Sequence, residues 1–230
     1  MKNSDFLDRL TELEGRVAVT AFGNPDPDAI ASAFALGRLF EHYGIDSEYL
    51  FESEINRPEN QLLVNYLEIG IDKLNHQGFE GYDHVSLIDC NPDRVSKERR
   101  KNLRSELDDK LFSVQDHHPI SEDELEGLKT GNAFIDIRPE LGACSTILAE
   151  CINESELEFE PRIATGLFYG LHSDTNSLLR SFTPYDVEQL TNYVEHIDME
   201  SLKDIVGGLM TSETFKVIHR VTDEEFCEVR

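Results

Sequence analysis

Short apolar runs with β character alternate along this chain with longer segments whose apolar residues fall at three- and four-residue spacing. Arg16 to Phe22 alternates and is rich in β-formers, with Gly15 before it and a turn after it, as a core strand should be. Ala29 to Tyr43 carries Ile30, Ala33, Phe34, Leu36 and Phe40 at helical spacing, and Gly44 stops it. Ser47 to Phe51 reads as a second strand, Pro58 to Ile69 as a helix, and His84 to Cys90 as a third strand with an almost continuous apolar centre. Leu111 to Gln115 and Asn132 to Ile137 are a fourth and a fifth strand, and a helix is expected from near Gly142. Pro161 to Leu171 has a helix-start proline and a small-residue face of Ala164, Gly166 and Gly170. Thr183-Pro184 caps another helix, with Val187, Leu190, Val194 and Ile197 on one side.

Strands alternating with helices predict an α/β fold: a parallel β-sheet covered by helices on both faces. Residues 1–182 are expected to form the main domain. Residues 183–230 are expected to hold a connector helix that leaves the core, followed by the remnant or start of a C-terminal domain. The last stretch, Leu202 to Arg230, mixes helical periodicity with no clear closing element.

Composition changes this picture in one respect. Apolar residues make up 39% and charged residues 29% of the 230, ordinary for a globular protein, and no apolar run approaches the ~20 residues of a membrane span. The 46 acidic against 21 basic residues, however, give a formal net charge of -25. A field of that sign repels polyanions and argues against a duplex DNA surface. Adaptation to a salty cytoplasm, where screening makes dense surface carboxylates tolerable, is an equal account of the acidity. The N-terminal residues lack the apolar stretch of a signal peptide, so a cytoplasmic location is expected. Cys90, Cys144, Cys151 and Cys227 have no Cys-x-x-Cys spacing and read as free thiols.

In parallel sheets ligands bind outside the carboxyl ends of the strands, and Asp26, Asp28, Asp89, Asp116, His117 and His118 all fall there. Asp174 follows the end of a helix. Taken singly, each aspartate reads as a helix cap or turn residue, Asp28 included, and a histidine pair in a loop is usually solvated. Taken together they point to a cation, because unit charges ~4 Å apart repel by about 4 kcal/mol per pair at an effective dielectric near 20. Oxygen donors mixed with imidazole suit Mn, Fe, Co or Zn better than Ca, and a carboxylate such as Asp89 could bridge two ions.

Asn24-Pro25-Asp26-x-Asp28-Ala29-Ile30-Ala31-Ser32, Asp89, Asp116-His117-His118, Gly142-Ala143-Cys144-Ser145-Thr146 and Ser173-Asp174-Thr175 resemble, in order, the successive motifs of the DHH phosphoesterases. That family includes single-strand exonucleases, oligoribonucleases, cyclic dinucleotide phosphodiesterases, exopolyphosphatases and family II pyrophosphatases. The resemblance spans about residues 16 to 180. It implies a DHH-type domain that uses Mn, as one or two ions, with Mg, Co or Zn as alternatives. By the resemblance Asp26 would ligate one ion, Asp28, His117 and Asp174 the other, and Asp89 would bridge them. His118 would meet the substrate phosphate and Asp116 would orient a neighbouring histidine, so that His118, Asp89 and Asp116 form the catalytic set.

Two departures qualify the resemblance. The metal-binding histidine that usually stands four residues before the first aspartate is replaced by Phe22, which cannot ligate; His172 is a weak substitute. The smaller C-terminal domain of the family, with its glycine-rich segment and histidine, has no match, since Gly207-Gly208 lacks the histidine. Arg94, Arg138 and Arg180 remain as cations for phosphate, each also readable as a surface ion-pair residue, and Ser145 joins Arg94, Arg180 and His118 as an expected substrate contact.

The expected activity is hydrolysis of a phosphodiester in a small nucleotide, such as a short oligonucleotide or a cyclic dinucleotide. Pyrophosphate or polyphosphate hydrolysis is the alternative within the same chemistry, and a catalytically weak nucleotide- or metal-binding regulatory module is the alternative of another class. A small phosphorylated substrate, no duplex DNA, no membrane, and either a homodimer or a further C-terminal domain are the expected partners. A dinucleotide-binding Rossmann site is disfavoured, because acids and prolines stand where pyrophosphate needs glycine and exposed amides.

Overall fold

A computed structural model of the chain describes residues 3–74 and 78–206. Six strands form one all-parallel sheet in the order β3-β2-β1-β4-β5-β6. They are β1 (Arg16–Thr20), β2 (Asp46–Phe51), β3 (Ile71–Lys73), β4 (His84–Ile88), β5 (Leu111–Asp116) and β6 (Phe134–Ile137). The helices are α1 (Asn3–Thr11), α2 (Pro27–His42), α3 (Pro58–Leu67), α4 (Lys97–Leu107), α5 (Glu122–Lys129), α6 (Cys144–Glu154), α7 (Pro161–Asp174), α8 (Pro184–Thr191) and α9 (Met199–Val206).

Alternation along the strands divides the interior into two cores. Val17 and Val19 of β1 point to one face, where α1, α2, α3, α6 and α7 pack; Ala18 points to the other, with Val85 and Leu87 of β4 and Leu103 and Leu107 of α4. Helices therefore cover both faces, as the apolar centres of β1 and β4 demand. The chain runs from β1 outward to β3, then returns to place β4 on the other side of β1. The order in which strands are added reverses between β1 and β4, and the crevice beyond their carboxyl ends is where such a sheet leaves room for a ligand.

Three parts of the expected layout come out differently. The helix expected over 184–197 stops at Thr191, and Val194–His196 forms a separate 3-10 turn. Leu190, Val194, Ile197, Leu202, Ile205 and Val206 are buried in the same core as α2 and α7, so through residue 206 the chain stays on the main body. The short edge strand β3 and helices α1, α4 and α5 were not anticipated. Gly207-Gly208, Cys227 and the rest of the stretch to Arg230 lie outside the described residues. Among the described residues no helix is long and apolar enough to cross a membrane.

Candidate metal centre

Four separate pieces of chain deliver the site. After β1 the loop Ala21–Asp26 ends in the N-cap of α2: Asp26 is extended, and its Oδ1 accepts from Ala29 N at 3.0 Å. The cap is thus Asp26, not Asp28. Two residues on, Asp28 is fully buried and reaches across to the start of α6, where Oδ2 accepts from Cys144 N at 2.7 Å and Oδ1 from Ser145 N at 2.9 Å. The Ser145 hydroxyl also donates to Oδ1, and Ser32 Oγ stands 3.3 Å from it. The amides at a helix start carry partial positive charge, which suits a buried carboxylate.

Asp89 follows β4 in a left-handed backbone conformation, φ 52°, which a non-glycine residue adopts only where its surroundings hold it. Asp116 ends β5, and His117 and His118 follow it. Asp174 ends α7. These converge on the His117 imidazole, whose Nε2 lies 3.1 Å from Asp174 Oδ2, 3.5 Å from Asp89 Oδ1 and 3.7 Å from Asp28 Oδ2. His117 Nδ1 sits 3.2 Å from the Leu141 carbonyl, to which it can donate, and this turns Nε2 toward the carboxylates.

Asp116 is turned away from this cluster. Its Oδ1 accepts from His118 N at 3.0 Å and from His118 Nδ1 at 2.8 Å, and its Oδ2 from Asn91 Nδ2 at 2.6 Å. His118 is held by Nδ1, leaving Nε2 for a ligand, with Nδ1 3.6 Å from Asp89 Oδ1. Asn91 escaped the sequence reading although it stands two residues after Asp89; its side chain is fully buried between Asp116 and the turn Pro92–Arg94. Gly170 was read as a packing residue of α7, and it also faces the site: a Cβ there would stand 2.2 Å from Ser145 Oγ and 2.8 Å from Asp28 Oδ1.

Burial pushes the carboxyls up. Asp28 rises to about 6, from desolvation first and the Asp174 charge second. Asp89 is carried well above the usual carboxylate range by desolvation and then by Asp28 and Asp26, and Asp26 itself is raised by burial and by Asp174. Desolvation alone would lower His117, but the Asp174 carboxylate 3.1 Å away and the Asp28 charge outweigh it and hold the imidazole at about 9. Without a cation the site therefore keeps protons on groups that would otherwise carry charge.

The donor set fits a divalent cation. Asp28, His117 and Asp174 each offer one ligand atom within 4.8 Å of the others, and Asp89, His117 and His118 form a second such group. Asp89 Oδ1 and His117 Nε2 are buried without a hydrogen-bond partner, an arrangement that protein interiors avoid unless another ligand completes it. Mixed oxygen and imidazole donors match Mn and its neighbours.

The remaining expected residues lie outside both donor groups. Ser145, expected at the substrate, is fully buried with its hydroxyl on Asp28, so it supports that carboxylate instead. Arg138 is tied to Asp136 at 2.7 Å and Glu150 at 2.5 Å. Arg94 and Arg180 are exposed, in the turn after Asn91 and in the loop after α7. His172 Nε2 pairs with Ser177 Oγ at 3.0 Å, and His172 belongs to neither donor group. Phe22 is buried in the second core, with the Arg99 guanidinium 5.4 Å from its ring centre.

Residues 16–171 match the family described as DHH family, N-terminal domain. The chain belongs to the DHH family. An uncharacterized protein of Methanocaldococcus jannaschii is 31% identical over 195 residues, which are 85% of this chain and 38% of that protein. A probable manganese-dependent inorganic pyrophosphatase of Lactiplantibacillus plantarum is 27% identical over 165 residues, 72% of this chain and 49% of that enzyme. The chain thus spans about half the length of the pyrophosphatases it matches, or less for the archaeal relative. Among solved structures, an exopolyphosphatase-related protein from Bacteroides fragilis superposes with a TM-score of 0.69 at 14% identity, covering 93% of this chain and 62% of that one. Exonuclease RecJ bound to manganese gives 0.53 at 13% identity, covering 95% and 54%. Both share the DHH fold.

Proposed function

We propose that this DHH domain is a manganese-dependent phosphoesterase that hydrolyses a phosphodiester in a small nucleotide, such as a short oligonucleotide or a cyclic dinucleotide. The observation that carries the reading is the unpartnered His117 Nε2, buried among carboxylates from three other chain segments. Asp28, Asp89, His117 and Asp174 would hold the ion, with Asp26 close by at the N-cap of α2. A bound divalent ion supplies Lewis acidity to the phosphoryl oxygens and makes an attacking water more acidic. The protein's own part is placement: Asp116 and Asn91 fix the His118 ring so that Nε2 can hydrogen-bond the phosphate or hand a proton to the leaving oxygen. The catalytic set in this reading is Asp89 and His118, with Asp116 positioning His118.

Pyrophosphate hydrolysis is the second reading, supported by the relatives named as manganese-dependent inorganic pyrophosphatases. Phe22 supports a third, a catalytically weak nucleotide- or metal-binding regulator, because a phenyl ring offers the cluster no donor. A cytoplasmic location and a homodimer or further domain belong to the same proposal. The test is metal analysis of protein purified without chelator, followed by assay with Mn of a phosphomonoester, a short oligonucleotide, a cyclic dinucleotide and pyrophosphate. Bound Mn with turnover of the two nucleotides supports the first reading; turnover of pyrophosphate alone supports the second. Bound Mn or nucleotide binding without turnover supports the third, and absence of metal, nucleotide binding and turnover refutes all three.

A further inference from the structure

The loop that joins α7 to α8 leaves the metal centre at Asp174 and packs against Gly142. Its outer end is anchored: Thr183 caps α8 with Asp186, Asp186 accepts from Gly142 N at 3.1 Å, and Gly142 is the neighbour of Leu141, whose carbonyl holds His117. A Cβ on Gly142 would lie 2.8 Å from Thr175 Cγ2 and 3.1 Å from the Ser181 carbonyl, so the loop presses directly on that segment. Its inner end winds tightly, with Leu179 N and Arg180 N both donating to the Thr175 carbonyl at 3.0 Å. Asn176, Ser177, Leu178 and Ser181 all take left-handed backbone conformations without being glycine.

What this coil displays is unusual for the rest of the surface. Leu178 turns into the core, whereas Leu179 is 73% and Phe182 43% exposed, two of the three large apolar side chains that the described residues leave in solvent. Arg180 stands exposed between them, on a chain with 46 acidic and 21 basic residues. An aromatic ring, an aliphatic side chain and a guanidinium beside a centre for phosphate chemistry match the two parts of a nucleotide, since rings stack bases and guanidinium pairs with phosphate oxygens.

We infer that the Leu179–Phe182 loop is the contact surface for the organic part of the substrate: Phe182 stacks a nucleobase and Arg180 pairs with the adjoining phosphate. The inference rests on the phosphoesterase reading and adds to it a choice of substrate class, because an inorganic phosphate chain has nothing to offer Phe182.

The test is equilibrium binding of a phosphorothioate-linked dinucleotide carrying 2-aminopurine, with Mn present. Stacking on an aromatic side chain quenches the fluorescence of this base analogue. The wild type should bind with quenching. Phe182→Ala should weaken binding about tenfold, within the range for base stacking, and lose the quench, while Phe182→Tyr keeps both. Arg180→Gln should weaken binding by a similar factor with the quench retained. Mn content should be the same in all four proteins. The proposal is overturned if Phe182→Ala binds within twofold of wild type with the quench intact. It is also overturned if Phe182→Ala lowers the melting temperature while affinity is unchanged, the mark of a ring that packs against another protein segment. A wild type that cleaves pyrophosphate and does not bind the dinucleotide overturns this inference and leaves the phosphoesterase chemistry standing; a wild type without bound Mn and without turnover removes both.

Discussion

Manganese affinity should climb steeply with pH, and His117 sets how steeply. In the metal-free protein its imidazole is held at about 9 by Asp174 and Asp28 against the effect of burial, so at neutral pH Nε2 carries the proton that a metal must displace. A site requiring neutral imidazole gains close to tenfold in apparent affinity per pH unit below that value and levels off above it. From about pH 6.5 to about pH 8.5 the gain is on the order of 80-fold, or between about 2 and 3 kcal/mol. Asp28, raised to about 6, adds a second proton to the exchange below that pH and steepens the slope there. Isothermal titration with Mn in buffers of different ionisation enthalpy measures both the affinity and the protons released. At least one proton should leave per ion at pH 7.5, from His117, with any proton held by Asp89 adding to it. The same titration of His118→Gln should retain the slope, because His118 Nδ1 is engaged by Asp116 and not by the Asp28 and Asp174 carboxylates. An affinity that varies less than threefold across this range, with no proton released, would refute the placement of His117 at the centre of the site.

Three further outcomes follow from the same geometry. Asp89→Ala should be the most damaging single change, because Asp89 Oδ1 faces both histidines; bound Mn and hydrolysis should both collapse, and a wild-type metal content would count against its bridging place. Gly170→Ala should lower stability by about 1–3 kcal/mol and weaken Mn binding as well, since the new methyl would collide with Ser145 Oγ and the Asp28 backbone; a melting temperature and metal affinity equal to wild type would contradict the packing. Metal-free protein should lose stability as pH rises. The His117 contribution is complete below about 6.5 and lost through about 9, while Asp28, whose folded form holds its proton up to about 6, becomes a cost as pH rises from about 4 through 6. Both signs agree, so differential scanning fluorimetry should show the melting temperature of metal-free protein falling from pH 6 to pH 9 and Mn raising it most at the alkaline end.

How far the sequence revealed this site depends on which kind of signal each part carries. Strand ends were legible because β1, β4 and β5 are apolar runs cut off by polar residues, and the parallel layout sends every carboxyl end to one rim. That is enough to place Asp28, Asp89, Asp116 and His117 together from one dimension. Helices α4 and α5 were illegible for the opposite reason: KERRKNLRSEL and EDELEGLK are almost wholly polar, and one side of each is covered only through Leu103, Leu107 and Leu128. Division of labour among the acids was hidden as well. Asp26 and Asp28 look interchangeable in Asp-Pro-Asp, yet one caps α2 and the other spans to α6, a difference decided by helix α6 lying 116 residues further along the chain.

Those fixed partners explain why the fold tolerates the cluster at all. Asp28 is satisfied by two amides and a hydroxyl, and Asp116 by His118 and Asn91, so neither depends on a cation for its hydrogen bonds. Asp89 differs. Its Oδ1 has no partner, its backbone is left-handed, and every charge near it except the imidazoles is negative. Local strain and an unsatisfied oxygen in one residue, between two carboxylates that are satisfied, mark where the folded chain is least content without a ligand. A metal at Asp89 would complete the oxygen that protein atoms leave unpaired and would take up His117 Nε2 as well, which is why the pH dependence of binding and the Asp89 substitution probe the same cluster from opposite sides.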